Sequence, residues 1–130
     1  MAVSPNDLLE MARRLLSGNE EIDFRTAANR AYYSSYHFCK PLADSLPRTR
    51  SRKRGSHERL IERLKTLRIR NASRTRDKKF RAFGYFLNIG KPLRVEADYR
   101  IDTVFGRAKA EQLILTATKI RDVISELGIT

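Results

Sequence analysis

The chain has 130 residues, 41% hydrophobic and 32% charged, the size of one domain and well outside a disordered composition. No apolar run approaches the 18 or so residues of a membrane span, the segment Met1 to Asp7 lacks a secretory layout, and a single cysteine, Cys39, excludes an internal disulfide and suits a reducing cytoplasm. The net charge of +12 lies wholly between Arg48 and Arg81, where 15 Lys and Arg face three acids, Glu58, Glu62 and Asp77; the remainder sums to zero.

Ser4-Pro5 ahead of Leu8, Met11, Ala12, Leu15 and Leu16 predicts a first helix, capped by Ser or Asn and ended by Gly18. Asp23 is the expected cap of a second helix, which Pro41 should kink or end nearby, with a short continuation through Leu42 and Leu46. A long basic loop follows, and its Arg48, Arg50, Arg52, Lys53 and Arg54 suit phosphate contacts that position RNA without reading its sequence. Ser56 is the expected cap of a third helix carrying Leu60, Ile61, Leu64 and Leu67. After a break at Asn71–Thr75, a fourth helix is expected at 76–89, on Phe80, Phe83, Phe86 and Leu87, stopped by Gly90; Leu93–Tyr99 reads as a separate element. Asp102 is the expected cap of a last helix with Val104, Ala108, Leu113, Leu115, Ala117, Ile120 and Ile124 on its inner face. Sustained strand alternation and internal repeats are absent from the sequence, so the expected fold is all-α: one domain over residues 1–130, an up-and-down bundle of four to five helices.

Within the second helix Arg30 and His37 are seven residues apart, which places them about 20° apart in projection and roughly 10 Å apart along the axis, with Tyr33 between them. Phe24, Ala28, Ala31, Ser35, Phe38 and Leu42 form a small-and-apolar stripe that reads as the buried side. Arg30 and His37 fall about 100–120° from its centre, on the flank, with Thr26 and Tyr33 beyond them. Spacing alone favours an ordinary surface histidine. Cys39 reads as a packing residue.

The run Arg30-Ala31-Tyr32-Tyr33-Ser34-Ser35-Tyr36-His37 resembles the R-A-Y-Y-x-x-F-H signature of the HEPN superfamily, small all-helical domains. Ser56-His57 resembles the S-H that opens a middle helix in that group, Leu93-Arg94-Val95-Glu96-Ala97-Asp98-Tyr99 resembles its L-R-x-x-A-D-Y, and Thr103 to Leu127 its closing helix. The resemblance spans about residues 5–127. It implies a homodimer in which Arg-x6-His motifs face each other, and an endoribonuclease of toxin or defence type that needs no metal. It also implies a cognate antitoxin protein, of nucleotidyltransferase type or another. The toxin form carries a Tyr two residues after the histidine, where this chain has Cys39. Other members of the superfamily are binding or accessory modules, which supplies the alternative expectation: a module that binds nucleic acid, nucleotide or a partner protein without cleavage.

Two histidines and one cysteine, without H-x-x-x-H or C-x-x-C spacing, give poor support for a metal site, and Gly-rich phosphate loops are missing from the sequence, so no cofactor is expected. The chemistry these residues suit is attack by an RNA 2′-hydroxyl on its own phosphate: His37 as general base or acid, Arg30 against the charge of the transition state, Tyr33 on a phosphate oxygen or a base. Asn29 is a candidate to orient Arg30, Arg94 and Asp98 to pair with each other or clamp the signature helix, and His57 to cap or pack more readily than to serve as a second catalytic acid. Arg74 and Arg76 extend the expected RNA-contacting set. A field of +12 in 34 residues exceeds what solubility requires and fits a polyanion, RNA and tRNA included, better than a membrane surface, since large apolar anchors are missing from it.

Overall fold

The computed structural model describes residues 2–46, 55–67 and 74–129, and every regular element among them is helical. Helix α1 (Pro5–Leu15) begins with reciprocal caps: the Ser4 hydroxyl accepts from the Asp7 amide at 3.1 Å and the Asp7 carboxylate accepts from the Ser4 amide at 2.9 Å. Its buried face centres on Leu9 and Ala12, while Met11 is exposed because it lies about 130° from that centre.

Helix α2 (Glu21–Asp44) touches all four other helices. Its cap is Glu20 and not Asp23; the Asp23 carboxylate reaches back to accept from the Glu20 amide at 3.3 Å. Pro41 does not stop the helix, which runs three residues further. So near the C-terminal end, proline removes only the bond that its N–H would have made to the His37 carbonyl. Ala27, Ala28 and Ala31 are fully buried against Leu9, Ala12, Ala110 and Ala117, and these small side chains let α1 and α5 close on α2. Further along, Tyr32, Tyr36, Cys39 and Leu42 join Leu60, Leu64, Phe80, Phe83 and Ile120 in a second, more aromatic cluster. Burial pushes the Cys39 thiol pKa far up, so it is a packing residue.

Helix α3 (Ser56–Lys65) is capped by Gly55, and Ser56 is its first residue instead of its cap. Helix α4 (Arg74–Tyr99) is continuous and unites what the sequence divides at Gly90 and Pro92. Gly90 serves close packing: a Cβ there would sit 3.0 Å from Leu113 Cδ2 and 3.5 Å from the Tyr32 ring. Pro92 is tolerated on the exposed side, where water can reach the Asn88 carbonyl that loses its donor.

Helix α5 (Arg107–Glu126) starts at the Gly106 cap, later than Asp102 would place it. The reason lies in Arg25, which is 6% exposed. Its Nη1 donates to the carbonyls of Glu96 at 3.1 Å and Ala97 at 3.0 Å, its Nη2 donates to Thr103, and Nε pairs with Glu21 at 3.1 Å. Glu21 also accepts from the Phe105 amide at 2.9 Å. This pair satisfies the last carbonyls of α4 and ties down the connection that the sequence assigned to α5. The inner face of α5 is consequently Ala110, Leu113, Ile114, Ala117, Ile120 and Val123, whereas Val104, Ala108 and Leu115 are exposed. Tyr99 is also exposed. No helix among the described residues is long and apolar enough to cross a membrane. The described fold is an up-and-down bundle of five helices.

Candidate functional site

As the core element, α2 leaves a narrow strip to solvent. Among its residues Ile22, Arg30, His37, Lys40, Pro41 and Asp44 are exposed, and Thr26 and Tyr33 complete the strip as half-buried members. The spacing 22, 26, 30, 33, 37, 40, 44 is the i, i+3/i+4 row of one helix face, so Arg30 and His37 share the side that faces away from the core.

The three motifs converge there. Arg94 of α4, 8% exposed, places its guanidinium 5.5 Å from the Tyr32 ring centroid and 5.7 Å from that of Tyr33, and 6.0 Å from that of Tyr99. It pairs with Asp98 at 3.4 Å, and Asp98 accepts from Asn29 Nδ2 at 3.0 Å. Asn29 Oδ1 in turn accepts from Arg30 Nη1 at 3.5 Å. Asn29, Arg94 and Asp98 therefore form a relay that leads from α4 to Arg30, and the sequence alternatives of mutual pairing and clamping α2 are both realised. Arg94 Nε is buried and unpaired among the described residues, so the guanidinium is held by its charge over the rings as much as by hydrogen bonds.

From α3, His57 enters the same cluster. Its ring lies 4.3 Å from Tyr36, 5.6 Å from Tyr33 and 5.6 Å from Tyr32, and its Nδ1 is 3.0 Å from the Tyr32 hydroxyl. His37 lies 5.1 Å from Tyr36 and 6.3 Å from Tyr33, so both imidazoles border the same two tyrosines. Burial, then the charges of Arg94 and Lys91, hold the His57 pKa below the usual imidazole value. Burial likewise pushes the Tyr32 phenol pKa well above its ordinary value. Glu58, next to His57, is paired with Lys91 of α4, which keeps its carboxyl below the usual range.

The sequence favours a capping or packing role for His57 over that of a second catalytic acid, and it does not single out Tyr32, Tyr36 or Lys91. The S-H pair at the head of α3 was the available signal, since it follows the R-A-Y-Y run in the order that the resemblance requires. Tyr33 is half-buried, with the Arg94 guanidinium over its ring. Arg74 and Arg76 are not brought to this site: both are exposed at the start of α4, and Arg76 precedes Arg94 by 18 residues, about 27 Å along the helix. Arg76 pairs instead with the buried Asp77 at 3.0 Å. Arg48, Arg50, Arg52, Lys53 and Arg54 lie outside the described residues.

The arrangement can hold an anion with fixed cations and offer two imidazoles beside it. Comparison of the chain with protein-family models, with curated proteins and with solved structures finds no match.

Proposed function

We propose that the chain is a HEPN-like domain that binds RNA across the exposed strip of α2 and cleaves it without a metal ion. One observation carries this reading: Arg30 and His37 occupy the solvent-facing row of a helix otherwise enclosed by the bundle, and core packing accounts for neither side chain. In this mechanism His37 removes the proton of a 2′-hydroxyl as that oxygen bonds to phosphorus. The bond from phosphorus to the 5′-oxygen breaks, the leaving oxygen takes a proton from water, and His37 later returns its proton to solvent. Arg30 faces the charge that builds on the phosphoryl oxygens. The products are a 2′,3′-cyclic phosphate and a 5′-hydroxyl. Two copies of α2 facing each other across a two-fold axis would double the positive field along the strand.

The test is incubation of purified protein with structured RNA, tRNA included, in excess EDTA, with end-group analysis of the fragments. Wild type should yield cyclic phosphate ends; His37→Ala should lose cleavage while keeping RNA affinity within about threefold. Equal cleavage by both proteins overturns the mechanism. Tight RNA binding by an uncleaving wild type assigns the face to a binding module.

A further inference from the structure

We propose that His57 is the neutral hydrogen-bond donor of this site: Tyr32 fixes its proton on Nε2, and that N–H holds a phosphate oxygen of the strand lying against Arg30 and His37. The inference rests on the RNA reading of the face and adds a second histidine whose role differs from that of His37.

The argument begins with the Tyr32 hydroxyl. The residue is 1% exposed, and its hydroxyl meets His57 Nδ1 at 3.0 Å. Among the described residues His57 is the partner of this hydroxyl, so accepting from Nδ1–H would leave its own buried hydrogen unpaired, at a cost of about 1–3 kcal/mol; the phenol therefore donates and Nδ1 accepts. In a neutral imidazole the proton then resides on Nε2. The phenol keeps its proton throughout the neutral range because burial opposes phenolate.

The surroundings keep the imidazole neutral. His57 is the second residue of α3, at the positive end of the helix dipole. Arg94 and Lys91 face it from α4, and His37, Tyr32, Tyr33 and Tyr36 face it from α2. Among the described residues Glu58 is the acid whose charge works on it, and Lys91 already pairs with that carboxylate. The ring packs against Tyr36 with Nδ1 turned to Tyr32; the residue is half-buried, and imidazole geometry aims Nε2 away from the Tyr32 hydroxyl. A half-buried donor of fixed tautomer suits a phosphate oxygen and is ill suited to accept the 2′-hydroxyl proton.

Long-range ¹H–¹⁵N spectra of the labelled full chain at neutral pH read the tautomer directly, with His57→Gln used for assignment. We expect His57 protonated on Nε2 alone. Adding a short 2′-O-methyl oligonucleotide, which cannot be cleaved, should move the Nε2 resonance. Affinity for it should fall roughly five- to tenfold in His57→Ala, the size of one lost hydrogen bond of about 1–1.4 kcal/mol, and stay within about threefold in His57→Gln, whose amide N–H replaces Nε2–H. Tyr32→Phe, which preserves the ring, should release the tautomer. A ring protonated on Nδ1 or on both nitrogens overturns the proposal. So does an oligonucleotide that shifts His37 without shifting His57, and in that case the RNA reading of the face stands. An oligonucleotide that disturbs neither histidine overturns both.

Discussion

Asn29 on α2 donates its side-chain amide to Asp98 Oδ2 on α4 at 3.0 Å, although 69 residues separate them in the chain. That bond joins the residue just ahead of the Arg30–His37 run to the Leu93–Tyr99 run. It fixes the amide so that its oxygen faces the Arg30 guanidinium, and it explains why Asp98 stands one helical turn beyond Arg94.

The Arg94–Asp98 pair should hold the face together. Arg94→Ala uncovers the Tyr32 and Tyr33 rings and leaves Asp98 without its cation, so it should cost about 2 kcal/mol in urea unfolding. Asp98→Asn keeps an acceptor for Asn29 and should cost about half as much. Similar losses in both variants would place the stabilisation in Asp98 and not in the cation over the rings.

Arg25 should matter more than any residue of the exposed strip. Arg25→Met removes the donors to Glu96, Ala97 and Thr103 and leaves Glu21 without its cation, at a cost of about 3 kcal/mol. Hydrogen exchange should accelerate first over residues 100–106. Uniform acceleration across the bundle would contradict the role assigned to this hub.

Two glycines of α4 should respond differently to alanine. At Gly84 a Cβ would lie 2.7 Å from the Lys65 backbone nitrogen, so α3 must shift; overpacking of about 1–3 kcal/mol should exceed the propensity gain of about 1 kcal/mol. At Gly90 the nearest atom is the tip of Leu113, which can give way, and the change should be within about 1 kcal/mol of neutral. Denaturation midpoints of the two variants check the contrast.

Stability should fall in two stages on acidification. The His57 pKa is depressed in the folded chain, so below about 6.5 the unfolded chain binds the proton first and stability declines until the folded ring also protonates. Glu21, held down by the Phe105 amide and Arg25, and Glu58, held down by Lys91, add a second decline as pH drops below about 4.5. Asp7, capped by Ser4, contributes below about 3.8. Urea midpoints across pH 8 to 3 should show both stages, and His57→Gln should flatten the upper one alone.

If the basic segment 48–54 binds phosphates, replacing Arg48, Arg50, Arg52, Lys53 and Arg54 by Gln should weaken RNA binding for all sequences alike. The slope of log affinity against log salt should become shallower by about 0.7–0.9 for each phosphate no longer neutralised. An unchanged slope would remove these residues from the interface.

Helical periodicity made a good part of this molecule legible. The 100° step alone put Arg30, Tyr33 and His37 beside the apolar stripe of α2, and the bundle leaves those positions half or fully open. The start of α1 was equally readable, because Ser4 and Asp7 cap each other within one turn. Boundaries failed where a distant contact overruled a local signal. Gly90 looks like a stop, yet Leu113 and Tyr32 pack against its bare Cα, and Asp102 looks like a cap, yet Arg25 holds the neighbouring carbonyls from across the fold.

The partners of the site belong to the second group. Whether His57 caps a helix or hydrogen-bonds Tyr32 depends on how α3 lies against α2, and whether Arg94 meets Asp98 alone or also Tyr32 and Tyr33 depends on the approach of α4. A single helix sets the direction in which each side chain leaves the backbone, since that follows from local dihedral angles. What the side chain meets is set by packing among segments dozens of residues apart, where burial and shape complementarity outweigh any preference written in the nearest few residues.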